Sequence, residues 1–97
     1  MMKRATLMKT LESKWGFEFV RTVEEFHGEE RDDKENTGIW TSGEHGWEYN
    51  DMEIFNYYSE DYDRYTFGVL NVFHNWLEKQ GWYCEWYDAG TMMIYPI

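Results

Sequence analysis

One cysteine, one proline and no long apolar run mark this 97-residue chain before any motif does. The lone Cys84 excludes an intrachain disulfide, which suits a reducing compartment. No stretch approaches the ~20 apolar residues of a membrane helix. The basic N-terminal segment lacks the apolar core, roughly 7–15 residues, of a secretion signal. A cytoplasmic protein with no membrane contact is the expectation. The near-absence of proline, beside aromatics at 21% of residues, argues against low-hydrophobicity disorder. Leu, Ile and Val are also scarce, so most of the twenty aromatic rings must build the core. A chain of this length supports one domain, because a second core would have too little apolar surface.

Catalytic and metal-binding patterns are missing as well. His27, His45 and His74 stand apart, without HExxH, CxxC or His-x-His spacing. Gly43 and Gly46 are not followed by the Lys-Ser/Thr of a phosphate-binding loop. Asp61 and Asp63 lack the surrounding Asp-rich loop of a calcium site and are explained as favourable charges at a helix start. Cys84 alternates with Trp82 and Trp86 on a strand and reads as a small buried hydrophobe rather than a nucleophile. No enzyme activity, cofactor or metal is therefore expected.

What the chain has is negative charge, unevenly placed. The formal net charge is −10, yet residues 1–16 carry Lys3, Arg4, Lys9 and Lys14 against Glu12 alone. Residues 44–63 hold seven carboxylates and six aromatic rings with no Lys or Arg. The acids are Glu44, Glu48, Asp51, Glu53, Glu60, Asp61 and Asp63; the rings are Trp47, Tyr49, Phe55, Tyr57, Tyr58 and Tyr62. Such a segment repels nucleic acid phosphates and anionic membranes and attracts a basic partner. Trp and Tyr bury much area at little entropic cost, so they suit interface anchors. The candidate partner-binding residues are Trp47, Tyr49, Phe55 and Tyr57 as anchors, with Glu44, Glu48, Asp51, Glu53, Glu60, Asp61 and Asp63 steering. The competing reading of the same residues is core rings with a solvated acidic rim.

The periodicities predict an α+β domain, two helices on a mostly antiparallel sheet, in the order α-β-β-β-α-β-β. Leu7, Leu11 and Trp15 mark a first helix that Gly16 closes in the left-handed region. Residues 17–23 read as a strand and 24–37 as a mobile acidic loop. Short strands follow at 38–41 and in a hairpin around Asn50-Asp51. The spacing of Tyr62, Tyr65, Val69, Phe73, Trp76 and Leu77 predicts a helix over 60–80, capped by Ser59 and closed by Gly81. Gly68 marks a close approach within it. Two strands, 82–87 and 91–97, finish the chain around a turn where Gly90 supplies the left-handed residue and Pro96 ends an edge strand.

Short, acidic and cysteine-poor, with a Met-Met-Lys-Arg start, the chain resembles in composition small accessory proteins of bacteriophages and mobile elements. That resemblance covers no specific motif and transfers no site residues. It implies inhibition of host machinery through a basic surface. The expectation is a non-enzymatic binding module that engages a basic, nucleic-acid-binding protein by charge mimicry, without binding nucleic acid itself. The alternative is a structural or self-associating protein with an aromatic homo-oligomer interface, such as a homodimer; salt should weaken the first and spare the second.

Overall fold

The computed structural model describes residues 1–27, 38–44 and 46–97, without the side chains of Phe26 and His27. Most of the acidic loop expected at 24–37, and His45, fall outside the described residues. In chain order the elements are α1 (Arg4–Trp15), β1 (Val20–Thr22), α2 (Val23–His27), β2 (Ile39–Ser42), β3 (Glu48–Tyr49), β4 (Met52–Glu53), β5 (Tyr65–Thr66), β6 (Val69–Leu70), α3 (Asn71–Lys79), β7 (Trp82–Asp88) and β8 (Thr91–Pro96). The α+β class and the main helix–strand order match the sequence expectation, with α2 and the β5–β6 hairpin added.

Helix α1 forms where the four-residue apolar spacing places it. Leu7, Leu11 and Trp15 are its buried residues, and Gly16, at φ +74°, closes it. The Phe17 amide then returns to the Leu11 carbonyl at 3.0 Å, so an end carbonyl stays paired. The short α2 starts with a reciprocal cap. The Glu25 amide donates to the Thr22 hydroxyl oxygen, and the Thr22 amide donates to the Glu25 carboxylate.

Antiparallel pairing orders the main sheet β1-β2-β8-β7, so the last strand lies inside it. Register sets Val20, Thr41, Met92 and Trp86 in one row, and Thr22, Ile39, Ile94 and Cys84 in the next row but one. Their buried apolar members, Val20, Ile39, Met92 and Ile94, join Leu7, Leu11, Phe73, Leu77 and Trp82 in a single core. Thr41, fully buried, donates its hydroxyl to the Phe19 carbonyl at 2.6 Å and so leaves no unmet polar group.

Arg4 joins α1 to α2 through a two-oxygen contact with Glu24, at 2.7 and 3.0 Å. The basic first helix thus meets part of the acidic sequence inside one molecule. Hydrogen bonding from Arg4 holds the Glu24 carboxyl below its ordinary value of 4.5, against a smaller opposing effect of burial. A lowered folded pKa means that the stabilisation exists above the unfolded pKa and disappears as pH falls through the folded value. Glu24→Gln should therefore lower stability at pH 7 by about 1 kcal/mol or less. Urea denaturation of both proteins should show that difference vanish well below pH 4.5; a difference unchanged in acid would show that the ion pair is not its source.

The structure corrects four local expectations. The second long helix begins at Asn71, not near residue 60, and Leu70 precedes it without a side-chain cap. Tyr62, expected on the buried stripe, is exposed, whereas Tyr65, Val69, Phe73 and Leu77 are buried. Gly90 is not among the positive-φ residues; the Asp88 carboxylate instead accepts the Gly90 amide across the turn at 2.9 Å. Finally, Pro96 ends a central strand rather than an edge strand. Pairing of β2 with β8 stops at Ile94, so the missing proline amide interrupts no bond on that side.

Candidate functional site

Between β2 and α3 the chain builds two small hairpins, and these carry the acidic-aromatic sequence. In the first, Asn50 (φ +51°) and Asp51 (φ +65°) form the two-residue loop between paired Tyr49 and Met52. Both residue types tolerate that backbone, and two positive φ values match the strand twist. Trp47 and Ile54 flank the hairpin, linked by an amide–carbonyl bond of 2.8 Å, and both are buried. Glu48 and Glu53 are direct cross-strand partners and both exposed. Like charges so placed repel, which a bound cation would relieve.

The second hairpin pairs Tyr65 with Leu70 and Thr66 with Val69 around Phe67-Gly68. Phe67 sits at φ +48° and Gly68 at φ +76°. Glycine takes this conformation freely, but a phenylalanine there costs about 1–2 kcal/mol. The strained ring is also 90% exposed, so no burial offsets its cost. The Trp86 indole donates to the Phe67 carbonyl at 2.6 Å and anchors the tip to β7. Trp86 meets Tyr57 edge-on at 5.1 Å, and Tyr57 meets Tyr58 edge-on at the same distance. Tyr57 is 47% and Tyr58 77% exposed. Trp86 thus ties the hairpin tip to a face that carries Tyr57 and Tyr58.

Not every candidate residue joins that face. Trp47 (8% exposed) and Phe55 (6%) belong to the core; Trp47 stacks on Phe17 at 4.3 Å, and Phe55 packs on Phe17 and Phe73. Neither can present its ring to a partner here. Tyr49 is partly exposed but leans on Trp15 at 5.1 Å. Tyr57 is outward, as are Glu44, Glu48, Asp51, Glu53, Glu60, Asp61 and Asp63. Asp61 accepts the amides of Asp63 and Arg64 and lies 3.6 Å from the exposed Arg64 side chain. Tyr58, Phe67, Trp86 and Gly43 are additions that sequence reasoning missed. The signal for Phe67 was its Gly68 neighbour between β-branched Thr66 and Val69; for Trp86, none was available, because alternation aims it inward.

Comparisons with protein-family models, curated proteins and solved structures return no match. Function must then be read from the residues themselves.

Burial pushes the Cys84 thiol strongly upward, which disfavours the thiolate. His74 contacts its helix neighbour Glu78 at 2.6 Å. Desolvation, followed by the charges of Glu53 and Asp61, raises the Tyr65 hydroxyl above 10.0, and that hydroxyl donates to the Glu53 carbonyl at 2.6 Å. It is a structural clasp between the two hairpins. Among the described residues no group of three or more His, Cys, Asp or Glu is placed to hold a metal ion, and no helix is long and apolar enough to cross a membrane.

Proposed function

We propose that this protein is a non-enzymatic binding module whose acidic, aromatic face engages a basic surface on another protein. The narrower form of the proposal is an inhibitory accessory protein of the phage or mobile-element kind. Its carboxylates would occupy a nucleic-acid-binding surface in place of phosphates. The observation that carries the reading is Phe67, a strained residue whose ring lies in solvent. Strain of this sort persists where a function needs the side chain, since Asn or Gly would relax the turn. Around it, the outward acids supply steering, and Tyr57 and Tyr58 supply area that is apolar on its face and polar at its tip.

Phe67→Asn separates function from fold. Asparagine accepts positive φ, and the Trp86 bond goes to the backbone, so stability should rise by about 1 kcal/mol in urea denaturation. Partner binding should fall at the same time. Tagged parent protein, Phe67→Asn, and a Glu44/Glu48/Asp51/Glu53 carboxylate-to-amide variant would be used to capture partners from nuclease-treated bacterial lysate at stepped salt. The expected result is a basic protein held by the parent, lost from both variants, released by salt, and displaced by added nucleic acid. Retention by Phe67→Asn, or a salt-resistant dimer of the chain as the only product, would overturn the proposal.

A further inference from the structure

Between the β2–β3 connection and the segment from β4 to Tyr58 lies a cleft of about 150 Å³, whose walls include Gly43, Glu44, Glu53, Phe55, Tyr57 and Tyr58. We infer that this cleft is a socket for an arginine side chain of the basic partner, with Glu44 and Glu53 receiving the guanidinium and the tyrosine rings flanking it. The inference rests on the proposed binding function and names the chemistry that function reads.

Four observations point to a guanidinium. Neither carboxylate has a cationic partner among the described residues, and the two come from separate segments, the β2–β3 connection and β4. Tyr57 and Tyr58 stand 78° apart, forming two walls of an aromatic corner, and cations are attracted to ring faces in such corners. A space of this size takes a benzene-sized group, and a guanidinium is smaller and equally flat. Glu53 also stands across from Glu48, so a cation at this point relieves an existing repulsion.

Arginine fits better than lysine because a planar fork can stack on a ring while donating to carboxylates at its edge. A quaternary ammonium could use the rings but has no proton to offer the two acids. The loop that carries Gly43 and Glu44 is closely packed on β7 and the β7–β8 turn. A Cβ on Gly43 would come within 2.5 Å of the Trp86 ring, and one on Gly90 within 3.1 Å of the Glu44 carboxyl. These glycines let the loop settle on Trp86 and let Glu44 lie across the β7–β8 turn.

The test uses the full chain and a short Gly-Ser peptide carrying two arginines, with lysine, trimethyl-lysine and citrulline counterparts. Affinity is read at low salt by calorimetry, and position by amide shifts in nuclear magnetic resonance. The arginine peptide should bind best, citrulline should not bind, and the shifts should centre on Glu44, Glu53, Tyr57 and Tyr58. Glu44→Gln/Glu53→Gln should weaken binding at least about tenfold. Glu12→Gln/Glu85→Gln, which removes the same charge elsewhere, should change it less than about threefold. Equal losses in the two variants, preference for trimethyl-lysine, or no peptide binding would each overturn the socket. The lysate capture is independent: a partner lost from Phe67→Asn but held by Glu44→Gln/Glu53→Gln would leave the binding face standing without the socket.

Discussion

Phe73→Ala should remove about 3–5 kcal/mol of stability, the range for deleting a fully buried aromatic ring. Phe73 has no exposed surface, and four rings surround it: Trp15 at 4.9 Å, Phe17 at 5.5 Å, Phe55 at 5.6 Å and Trp76 at 6.0 Å. Those neighbours come from α1, the segment after it, the hairpin region and α3 itself, so no single element can move to fill the void. Domains of this kind have about 5–15 kcal/mol in total. The variant should consequently melt more than about 12 °C lower, and its urea midpoint should fall in proportion. A loss below about 1.5 kcal/mol would mean that the rings repack freely and that the aromatic core is not centred on this residue.

Gly68→Ala is the second large effect, and it runs opposite to the substitution next door. At φ +76°, an added Cβ would lie 2.7 Å from the Asn56 carbonyl oxygen and 3.2 Å from the Tyr57 Cα. The obstruction is backbone, and the Asn56 amide already donates to the Gly68 carbonyl at 2.7 Å. Left-handed strain and the forced separation of the two segments together should cost about 2–4 kcal/mol. Denaturation of Gly68→Ala and Phe67→Asn side by side checks the sign: adjacent positions of one turn, one destabilised and the other stabilised. If both change by less than about 0.5 kcal/mol, the positive φ values at this turn do not describe the folded chain.

Much of the frame was legible in the sequence because local signals agreed with tertiary packing. The Leu7, Leu11 and Trp15 spacing with Gly16 behind it, the Asn50-Asp51 loop, and the alternation through Trp82, Cys84 and Trp86 all correspond to observed elements. The segment from 60 to 70 misled for a physical reason. Asp61 does cap a turn, accepting two amides ahead of it, and the Tyr65 amide reaches back to the Asp61 carbonyl at 3.1 Å. One turn of helix-like bonding therefore exists, but Phe67-Gly68 reverses the chain before a second can form. The apolar period continued through the hairpin by coincidence, since Tyr65 and Val69 are buried in either arrangement. The candidate face was legible in charge and opaque in rings. Burial of Trp47 and Phe55, and exposure of Tyr58 and Phe67, depend on contacts between distant segments that spacing does not encode.

The position of β8 has a consequence for how the chain acquires this form. The strand of this sheet that comes latest in chain order sits between β2 and β7, so the β1–β2 ribbon has no inner neighbour until residues 91–94 are available. Ile39 must wait for Ile94, and the rows that seal α1 and α3 onto the sheet close only with them. Such long-range closure delays the rewarding contacts until its entropic cost has been met, which slows folding relative to a locally wired fold. Until then the aromatic-rich nascent chain carries its rings uncovered, and the strong like charge spread along it becomes a safeguard against association during the wait.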